Sequence, residues 1–508
     1  MSNVIASSST NVRRYANHVD GAPLDASGSE PIARHDPASG RLVAQYADAG
    51  PDVVDAAVLA ARRAFDDGPW PLLSGAERAR LLRRFATVVD GERERLAALD
   101  SQEVGKPLRL ARGDLEGVVA QIEFAASLAH TDHGSSWTQL DTGFVAYATH
   151  EPLGVAALIV PWNFPALILS QKLPYALAAG CTVVVKPSEL TSSSALEIAD
   201  LALAAGIPPG VVNVVTGYGP TTGQALIEHP GVDVVSFTGS TATGREVAAA
   251  AGRGLKRVGL ELGGKAANVV FADADLDAAA DAAVFAAFFN QGECCVSGSR
   301  LLIDVRIAED FVATVVARAA TLVTGAPDDE ATDVGALIHE RHLDKVLDHV
   351  AGATEAGAHL LIGGARLTGG GLADGAFMAP TIFGGVDAGS RLFREEVFGP
   401  VLAVATFDGA DDAIRLTNAT DYGLSNAVWT SDVGTALAVS EGMRSGTVWI
   451  NTNIDGSPAL AFGGMKASGI GREVGFEGLR EFSSSKTVQL RRGDRALPFP
   501  RAATEEGR

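Results

Sequence analysis

The segment "VAALIVPWNFPALILSQKLPYALAAGCTVVVK" (residues 155–186) predicts a strand, a helical stretch and a second strand. The runs "VAALIV" (155–160) and "CTVVVK" (181–186) are short, apolar and rich in β-branched residues, as strands are. Two similar runs follow, "VVNVV" (211–215) and "DVVSF" (233–237), each after an Ala/Leu-rich helical stretch. This alternation predicts βαβ units and a parallel sheet, and the continuously apolar strands predict cover on both faces.

A polar cluster follows each of these strands. The clusters are "PWNF" (161–164), "KPSE" (186–189), "GYGPTTG" (217–223) and "TGSTATG" (238–244). Ligands of parallel α/β sheets bind beyond the carboxyl ends of the strands, so this edge is the predicted ligand site. Either glycine pattern could hold a phosphate at a helix N-terminus, although neither has the G-x-G-x-x-G dinucleotide spacing.

A second α/β unit is predicted after Lys265. Its elements, in order, are a strand in "AANVVFA" (266–272), a helix over 275–292, a strand over 299–307 and a helix over 308–323. The stretch "WTQLDTGFVAYATHEP" (137–152) alternates like an exposed hairpin, and "SSSKTVQL" (483–490) predicts one more strand. The Gly-rich stretch 363–376 predicts a surface loop.

Composition excludes several classes of protein. The chain has 508 residues, which is too long for one core, with 47% hydrophobic and 20% charged residues. A net charge of −20 argues against nucleic acid or an anionic membrane as partner. Three cysteines cannot form a disulfide framework, and we expect a reducing, cytoplasmic compartment. The N-terminus "MSNVIASSSTNVRR" lacks the apolar core of a signal peptide, and no apolar run is long enough for a membrane span.

Two adjacent thiols, Cys294 and Cys295, lie in "FFNQGECCVSGSR" (288–300) after Gly292, at a helix-to-strand transition. A nucleophilic cysteine needs an accessible loop, and this is a candidate for one. Cys181 lies inside an apolar strand, where we expect it to be buried and inert. Taken alone, such a pair is more often structural than catalytic. A vicinal disulfide is a further alternative, which a reducing compartment disfavours.

Two polar residues in apolar settings support a catalytic interpretation. Glu261 lies between leucines in "LELGGKAANVV" (260–270), where a carboxylate is either poised as a base or tied up structurally. Asn163 lies between prolines in "PWNFP" and offers an amide donor. A thiol, a carboxylate and an amide are the groups that acyl-transfer chemistry uses.

At these residues the sequence resembles the aldehyde dehydrogenase superfamily, over about residues 19–490. The motifs that carry the resemblance occur in family order: "VPWNFP", "KPSE", "FTGSTATG", "LELGGK", "FFNQGECCVSGSR", "EEVFGPV" (395–401), "DYGLSNAVWTSD" (421–432) and "FGGMKASGIGRE" (462–473). The resemblance implies NAD-dependent oxidation of an aldehyde to a carboxylic acid.

The resemblance also implies the catalytic roles. It places the nucleophile at Cys295, and Cys294 at a variable position that often lines the substrate tunnel. The Asn163 amide and the Cys295 backbone N–H would form the oxyanion hole. Glu261 would activate the water that hydrolyses the thioester.

The NAD site implied by the resemblance comprises Ile159, Trp162, Lys186, Glu189, Gly219, Pro220, Gly239, Ser240, Gly244, Glu396 and Phe398. Lys345 and His342 would lie near the ribose, but the family more often has Gln at position 342. A solvated helix face is the preferred interpretation for His342. No metal site is predicted, because the ten histidines lack ligand spacing.

The substrate pocket implied by the resemblance is formed by Gln171, Phe289, Cys294, Val296, Asp455 and Phe462. Gly456 stands where the family has a bulky residue, and Ala461 replaces a proline. We therefore expect a wider and more polar pocket than that of a simple aliphatic aldehyde enzyme. The alternative for Asp455 is an exposed loop carboxylate.

The implied fold is α/β, with a Rossmann-like cofactor domain, an α/β catalytic domain and a small β oligomerisation flap. The expected bounds are 1–129 with 151–262 for the NAD-binding domain, 263–481 for the catalytic domain, 130–150 with 482–495 for the flap, and 496–508 for a flexible tail. The flap predicts a homodimer or homotetramer.

Other functions remain open at this stage. A CoA-acylating relative usually lacks the general-base Glu, and a catalytically silent relative would not need Cys295 and Glu261. Among hydrolytic members, an aminoaldehyde, betaine-aldehyde or semialdehyde dehydrogenase is the runner-up. The missing tunnel tryptophans argue against a quaternary ammonium cage. The aldehyde itself is not named by the sequence.

Overall fold

The computed structural model describes residues 12–25, 29–131, 133–141, 143–493 and 499. The strands are β1 (Arg13–Tyr15), β2 (Asn17–Val19), β3 (Ala22–Leu24), β4 (Ile32–His35), β5 (Leu42–Tyr46), β6 (Ser135–Asp141), β7 (Phe144–Pro152), β8 (Val155–Ile159), β9 (Thr182–Lys186), β10 (Val212–Val214), β11 (Val234–Thr238), β12 (Arg257–Glu261), β13 (Ala267–Val270), β14 (Arg300–Asp304), β15 (His359–Ile362), β16 (Thr381–Gly384), β17 (Val401–Phe407), β18 (Ser425–Trp429), β19 (Thr447–Ile450), β20 (Gly469–Ile470) and β21 (Ser483–Arg491).

The α-helices are α1 (Pro51–Asp66), α2 (Gly75–Gly91), α3 (Arg93–Val104), α4 (Leu108–Leu128), α5 (Pro165–Ser170), α6 (Leu173–Ala179), α7 (Ser193–Ala204), α8 (Gln224–Glu228), α9 (Thr241–Arg253), α10 (Leu276–Phe288), α11 (Ala308–Ala319), α12 (Glu340–Glu355), α13 (Arg391–Arg394), α14 (Ala410–Thr417), α15 (Val433–Gly442) and α16 (Gly475–Arg480). Within the described ranges, every helix is too short or too polar to cross a bilayer.

Eight strands form the first large sheet, in the order β20-β12-β11-β8-β9-β10-β2-β3. The five central strands run parallel. The edges are antiparallel, with β20 beside β12 at one end and β2 and β3 at the other. The predicted parallel sheet is therefore confirmed, with edge strands that the sequence did not predict.

Both faces of this sheet are covered, as the apolar runs predict. Every residue of β8 and β9 is buried. Alternate residues of β8 contribute to different cores: Ala156 and Leu158 belong to one hydrophobic cluster, and Val155 and Ala157 to the other. Helices α1, α8 and α9 pack on the second face, and α2 and α4 to α7 on the first.

The second α/β unit forms a seven-stranded sheet in the order β15-β16-β17-β14-β13-β18-β19. All its neighbouring pairs are parallel except β15 with β16. Two further hydrophobic clusters lie on its two faces. The predicted strands and helices of this unit are confirmed, and the stretch 363–376 is a loop.

The predicted hairpin is confirmed as β6 and β7, and the predicted late strand is β21. Strand β21 pairs antiparallel with β7 along its whole length, from Ser483 beside Pro152 to Arg491 beside Phe144. A separate small sheet of β1, β5 and β4 lies near the N-terminus. The three-domain division stays a prediction. Strand β20, from the predicted catalytic segment, extends the first sheet, and most of the predicted tail 496–508 lies outside the described residues.

Candidate active site

The carboxyl ends of β8, β9, β11 and β12 meet at one edge of the first sheet. In the strand register Ile159 lies beside Lys186 and Phe237, and Thr238 lies beside Glu261. Strands β9 and β10 extend the sheet on one side of β8, and β11 and β12 extend it on the other. This reversal is a topological switch point, where open α/β sheets bind ligands.

The N-terminus of α9 lies at this edge, after β11. Ser240 is its N-cap, and the Ser240 hydroxyl accepts a hydrogen bond from the Thr243 backbone N–H at 3.2 Å. The Gly239 N–H donates to the Glu261 carbonyl at 3.0 Å, which ties the turn to β12. The Thr238 hydroxyl is buried and has no partner among the described residues. The N-terminus of a 13-residue helix is a ready site for a phosphate.

Gly244 lies one turn further along α9 and is buried. An added Cβ there would clash with the Leu262 side chain, so this glycine lets α9 pack closely beside the end of β12. The structure thus gives Gly244 a packing role, and its predicted contact with pyrophosphate stays a prediction.

Lys186 and Glu189 form the polar part of the next loop along the edge. The Lys186 ammonium is buried, donates to the Pro187 carbonyl at 3.0 Å and lies 3.6 Å from Glu189 Oε2. Burial lowers the pKa of Lys186, and Glu189 opposes that shift. Glu189 is half-buried, so its carboxylate keeps access to solvent and to a ligand.

Gly219 and Pro220 begin a π-helical turn, Gly219–Gly223, after β10. An added Cβ at Gly219 would meet no neighbouring atom, so the backbone is open on that side. This openness is compatible with the predicted approach of an adenine ring.

Glu396 projects from the segment 395–401 toward the Gly-Gly turn after β12. Its Oε1 accepts a hydrogen bond from the Gly264 N–H at 2.9 Å. Burial raises the pKa of Glu396 to about 7, while the Gly264 N–H and then Lys265 and Lys345 oppose the shift. Phe398 lies two residues on, and its ring meets the Trp162 ring edge-on at 5.4 Å between centroids.

His342 is buried, so the expected solvated helix face is wrong. It lies in the first turn of α12, where the His342 backbone N–H donates to Nδ1 of the N-cap residue His339. Its Nε2 lies 2.7 Å from the Phe398 carbonyl oxygen, and its ring lies 5.7 Å from that of Trp162. The pattern missed this because the first turn packs against the 395–401 segment, a contact that sequence spacing does not show.

The cysteine loop begins in a tight 3-10 turn, Phe289–Gly292, after α10. Asn290, Gln291 and Gly292 all have left-handed backbone conformations, with φ of 51°, 56° and 72°. An added Cβ at Gly292 would clash with the carbonyl of Gly399. The glycine therefore lets the cysteine loop lie directly on the segment that carries Glu396.

The three thiols differ in exposure. Cys181 is fully buried, its thiol donates to the Phe482 carbonyl at 3.2 Å, and burial raises its pKa to about 11. Cys294 is buried and Cys295 is half-buried. Cys295 is thus the most accessible thiol, as expected of the nucleophile, and Cys181 is buried as predicted.

The surroundings of Cys295 raise the pKa of its thiol. A hydrogen bond with the Cys294 thiol is the largest cause that raises the Cys295 pKa, and burial is the second. The charges of Cys294, Glu396 and Glu261 raise the Cys295 pKa further. An added Cβ at Gly264 would clash with the Cys295 carbonyl oxygen, so the turn after β12 packs on the cysteine loop.

Glu261 ends β12 and is buried. Burial raises the pKa of Glu261 well above its ordinary value, and the Glu473 carboxylate adds to the shift. Both carboxylate oxygens of Glu261 lack a hydrogen-bond partner among the described residues. A buried, unpaired carboxyl group with a raised pKa is typical of an acid–base residue rather than a structural one.

Lys172 and Glu473 form a buried ion pair behind Glu261, and sequence reasoning did not predict it. The Lys172 ammonium also donates to the Ser236 hydroxyl at 2.9 Å. A cavity of about 10 Å³ lies between Glu261, Glu473 and Gln171. That volume is about the size of one water molecule. Gln171, predicted to line the tunnel, therefore lines the same small cavity as Glu261.

Asn163 is buried beside the cysteine loop. Its Nδ2 donates to the Glu293 carbonyl at 2.9 Å, and the Asn290 side chain donates to both the Asn163 and Glu293 carbonyls. A primary amide has two N–H donors, so one remains for a substrate oxygen. This position fits the predicted oxyanion donor.

The predicted substrate pocket contains an aromatic wall. Phe289 stacks on Phe164 at 5.8 Å and lies 5.0 Å from Phe285, which is 44% exposed. Val296 is buried, and Phe462 packs against the same core as Phe289 and Cys295.

Asp455 is exposed, and its carboxylate accepts a hydrogen bond from the Thr452 hydroxyl. Its carbonyl accepts from the Trp449 indole at 2.6 Å. Asp455 is thus the exposed loop carboxylate of the alternative interpretation.

Several charged residues of the site were not predicted. Lys172 is a single charged residue in an apolar helical stretch. A lone charge among apolar residues is the same signal that identified Glu261, so it could also have identified Lys172. Glu293 and Lys265 are buried beside the cysteine loop and Glu396, in motifs quoted for other residues. Across the described part of the chain, no three His, Cys, Asp or Glu residues are grouped as a metal site.

Comparison with known proteins gives one consistent result. The sequence profile of the aldehyde dehydrogenase family matches residues 24–488. Retinal dehydrogenase 2 of Homo sapiens is 43% identical over 460 residues, covering 90% of this chain and 88% of the relative. The mitochondrial aldehyde dehydrogenase of Sus scrofa is 42% identical over 471 residues, covering 92% and 89%.

Solved structures agree. The NAD-dependent aldehyde dehydrogenase from Sinorhizobium meliloti is 45% identical, with a TM-score of 0.94 and 96% of each chain covered. The betaine aldehyde dehydrogenase from Staphylococcus aureus, in complex with NAD+, is 33% identical, with a TM-score of 0.94 and 96% of each chain covered.

Proposed function

The chain belongs to the aldehyde dehydrogenase family, and from that premise we propose that it oxidises an aldehyde to a carboxylic acid, with NAD as oxidant and a thioester on Cys295. The observation that carries the proposal is that three segments bearing reactive groups meet at one place. The three segments that carry Cys295, Glu261 and Asn163 meet beside Glu396 at the ligand-binding edge of the first sheet. The Gly264 turn after Glu261 packs on the Cys295 carbonyl and donates to Glu396, and Asn163 donates to the Glu293 carbonyl of the cysteine loop. A thiol, a buried carboxyl group and an amide donor together are the groups that acyl transfer requires.

The residues at this edge fit a dinucleotide. The capped N-terminus of α9 would hold the pyrophosphate, with the unpartnered Thr238 hydroxyl beside it. Lys186 and Glu189 would bind the adenosine ribose, and Glu396 the nicotinamide ribose. The charge of Glu189 would repel a 2′-phosphate, which favours NAD over NADP. NAD, when bound, supplies the oxidant that takes a hydride from the substrate carbon.

Cys295 performs the addition. The thiol proton is released to water as the sulfur bonds to the aldehyde carbon and the carbonyl π bond opens onto oxygen, which gives a thiohemiacetal oxyanion. The Asn163 amide and the Cys295 backbone N–H stabilise the oxygen charge that develops, and one such donor typically contributes about 10²–10³ in rate. Loss of hydride from this carbon leaves a thioester on Cys295.

Glu261 completes the cycle. As a base it takes a proton from water, the resulting hydroxide attacks the thioester, and the acid leaves as the thiol is restored. The raised pKa of Glu261 moves its titration toward neutral pH, where proton exchange is most useful. The presence of this residue favours hydrolysis over transfer of the acyl group to CoA.

The aromatic wall of Phe164, Phe285 and Phe289 supports an aldehyde with an apolar body. The exposed apolar residues of the β6–β7–β21 sheet support assembly into a homodimer or homotetramer, and the free thiols support a cytoplasmic location.

Two cysteine variants test the proposal. NADH formation from a panel of aldehydes is measured for the wild type, Cys295→Ala and Cys294→Ala. We expect Cys295→Ala to lose activity and Cys294→Ala to keep it with an altered KM. Full activity in Cys295→Ala would sink the assignment of the nucleophile. A wild type that reduces no NAD with any aldehyde would sink the proposed reaction.

A further inference from the structure

His342 lies where four segments of the site meet. Its ring contacts Trp162 from the loop after β8 and Phe398 from the 395–401 segment. Its Nε2 lies 3.6 Å from Glu293 Oε1, next to the two cysteines. The residue is buried, with only 9% of it exposed. A buried residue that contacts several segments can hold those segments in a fixed arrangement.

The hydrogen bond to Phe398 fixes the tautomer of His342. A carbonyl oxygen only accepts, so the proton of the neutral ring must lie on Nε2, which donates to Phe398 at 2.7 Å. Burial is the main cause that lowers the pKa of His342 to about 4, so the ring is neutral at ordinary pH.

The Phe398 backbone needs such support. It has a φ of 59°, a left-handed conformation that is uncommon for a bulky residue other than glycine. The next residue, Gly399, packs against Val346 of α12 on one side and Gly292 on the other, where an added Cβ would clash. The strained backbone therefore lies between the cysteine loop and α12, two residues from Glu396.

Glu293 connects the same junction to the cysteine loop. Its Oε1 accepts from the Ile338 N–H at 2.9 Å, just before α12, and its carbonyl accepts from Asn163. Burial raises the pKa of Glu293 well above its ordinary value, which weakens any ion pairing with His342.

We propose that His342 is a positioning residue: its Nε2–H holds the Phe398 carbonyl and thereby keeps Glu396 and the Cys295 loop in register for the bound cofactor. This role rests on the proposed function. It requires no direct contact between His342 and NAD.

The test uses three variants that differ in their donor. His342→Gln places an amide N–H at a similar reach from the backbone, His342→Asn has the same amide on a shorter side chain, and His342→Leu has no donor. His359→Gln, on exposed β15, is the matched control. The readouts are the NAD dissociation constant, from quenching of tryptophan fluorescence without aldehyde, and the rate of Cys295 alkylation by iodoacetamide.

We expect His342→Leu and His342→Asn to weaken NAD binding about tenfold, the size of one lost buried hydrogen bond. Both should also change the alkylation rate, while His342→Gln stays within about threefold of the wild type. If His342→Leu does not fold, the comparison of Gln with Asn decides. Equal NAD binding in the Gln and Asn variants would overturn the positioning role. No NAD binding by the wild type would overturn the proposed function together with this inference.

Discussion

At the scale of single residues, burial controls which groups carry charge. His349 shows this outside the catalytic cluster: it is buried in α12, and its Nε2 accepts a hydrogen bond from the Arg391 guanidinium at 3.2 Å. Burial, Arg391 and then Lys265 lower the pKa of His349 to about 4. The folded protein therefore binds fewer protons at this residue than the unfolded chain between about pH 4 and 6.5.

The resulting prediction compares the wild type with His349→Gln. As pH falls below the unfolded pKa of histidine, only the wild-type unfolded chain gains this proton, so wild-type stability should fall relative to the variant. The difference in the free energy of unfolding between the wild type and the variant should change by about 2 kcal/mol between about pH 8 and pH 5. Thermal or urea unfolding at both pH values measures it. His359→Gln serves as the exposed control. A wild-type advantage that is constant with pH would contradict the assigned protonation.

Single residues can be picked out of the sequence only where their context is unusual. Glu261 stands out as a charge among leucines, and Cys294 and Cys295 as a pair of thiols after a glycine. The choice of Cys295 as the nucleophile came from the family resemblance. His342 and Glu293 do not stand out, because their burial depends on contacts between segments far apart in the chain. For Asp455 the sequence left two interpretations open, a substrate-pocket residue and an exposed loop carboxylate. Only its exposure in the folded protein decides between them.

At the scale of elements, the first turn of α9 combines stability with ligand binding. Ser240 caps this helix and faces the ligand edge. Ser74 caps α2 in the same way, in a capping box with Glu77, but at a surface position outside the ligand edge.

Ser240→Ala and Ser74→Ala form a matched pair. Each should lower the free energy of unfolding by about 1 kcal/mol through loss of its cap. Only Ser240→Ala should raise KM for NAD, because only that helix end is assigned to the pyrophosphate. Thermal unfolding and NAD titration measure the two effects. A similar rise of KM in both variants would contradict the assignment of α9.

Among the elements, strands β8 to β11, β13 and β14 and the helices that follow them were predicted from their apolar periodicity. Helices α1 to α4, strand β12 and the elements from α12 to β19 were not predicted. The N-terminal strands β1 to β5 were not predicted, because they are short and alternate irregularly. Strand β20 has only two residues and takes its place from pairing with β12 rather than from its own pattern.

At the scale of the whole molecule, all three strands of the β6–β7–β21 sheet carry exposed apolar residues, and these lie on both faces of the sheet. Trp137, Leu140, Tyr147 and Leu490 are 41%, 64%, 43% and 63% exposed. Strand β19 leaves one edge of the seven-stranded sheet unpaired within the described residues. Open sheet edges beside apolar side chains favour pairing with another copy.

We expect the wild type to be a dimer or tetramer in light scattering, and the variant with both Trp137 and Leu490 replaced by lysine to be a monomer. Lysine places a charge where apolar surface would be buried. Leu72→Lys, at a residue 85% exposed outside this sheet, is the control and should leave assembly unchanged. An assembly that survives the double change would place the interface elsewhere. The family resemblance predicted this assembly surface, whereas periodicity alone predicted only an exposed hairpin.

The central claim is that the acyl group is carried by Cys295 and released by Glu261. Glu261→Gln keeps the shape of the side chain but cannot take a proton, so deacylation should slow by about 10²–10⁴. The direct measurement is tandem mass spectrometry of this variant after mixing with NAD and aldehyde. The account predicts one acyl group on the Cys295 sulfur, with about one NADH formed per site. An acyl group on Cys294, or NADH formed with no acyl-enzyme, would contradict it.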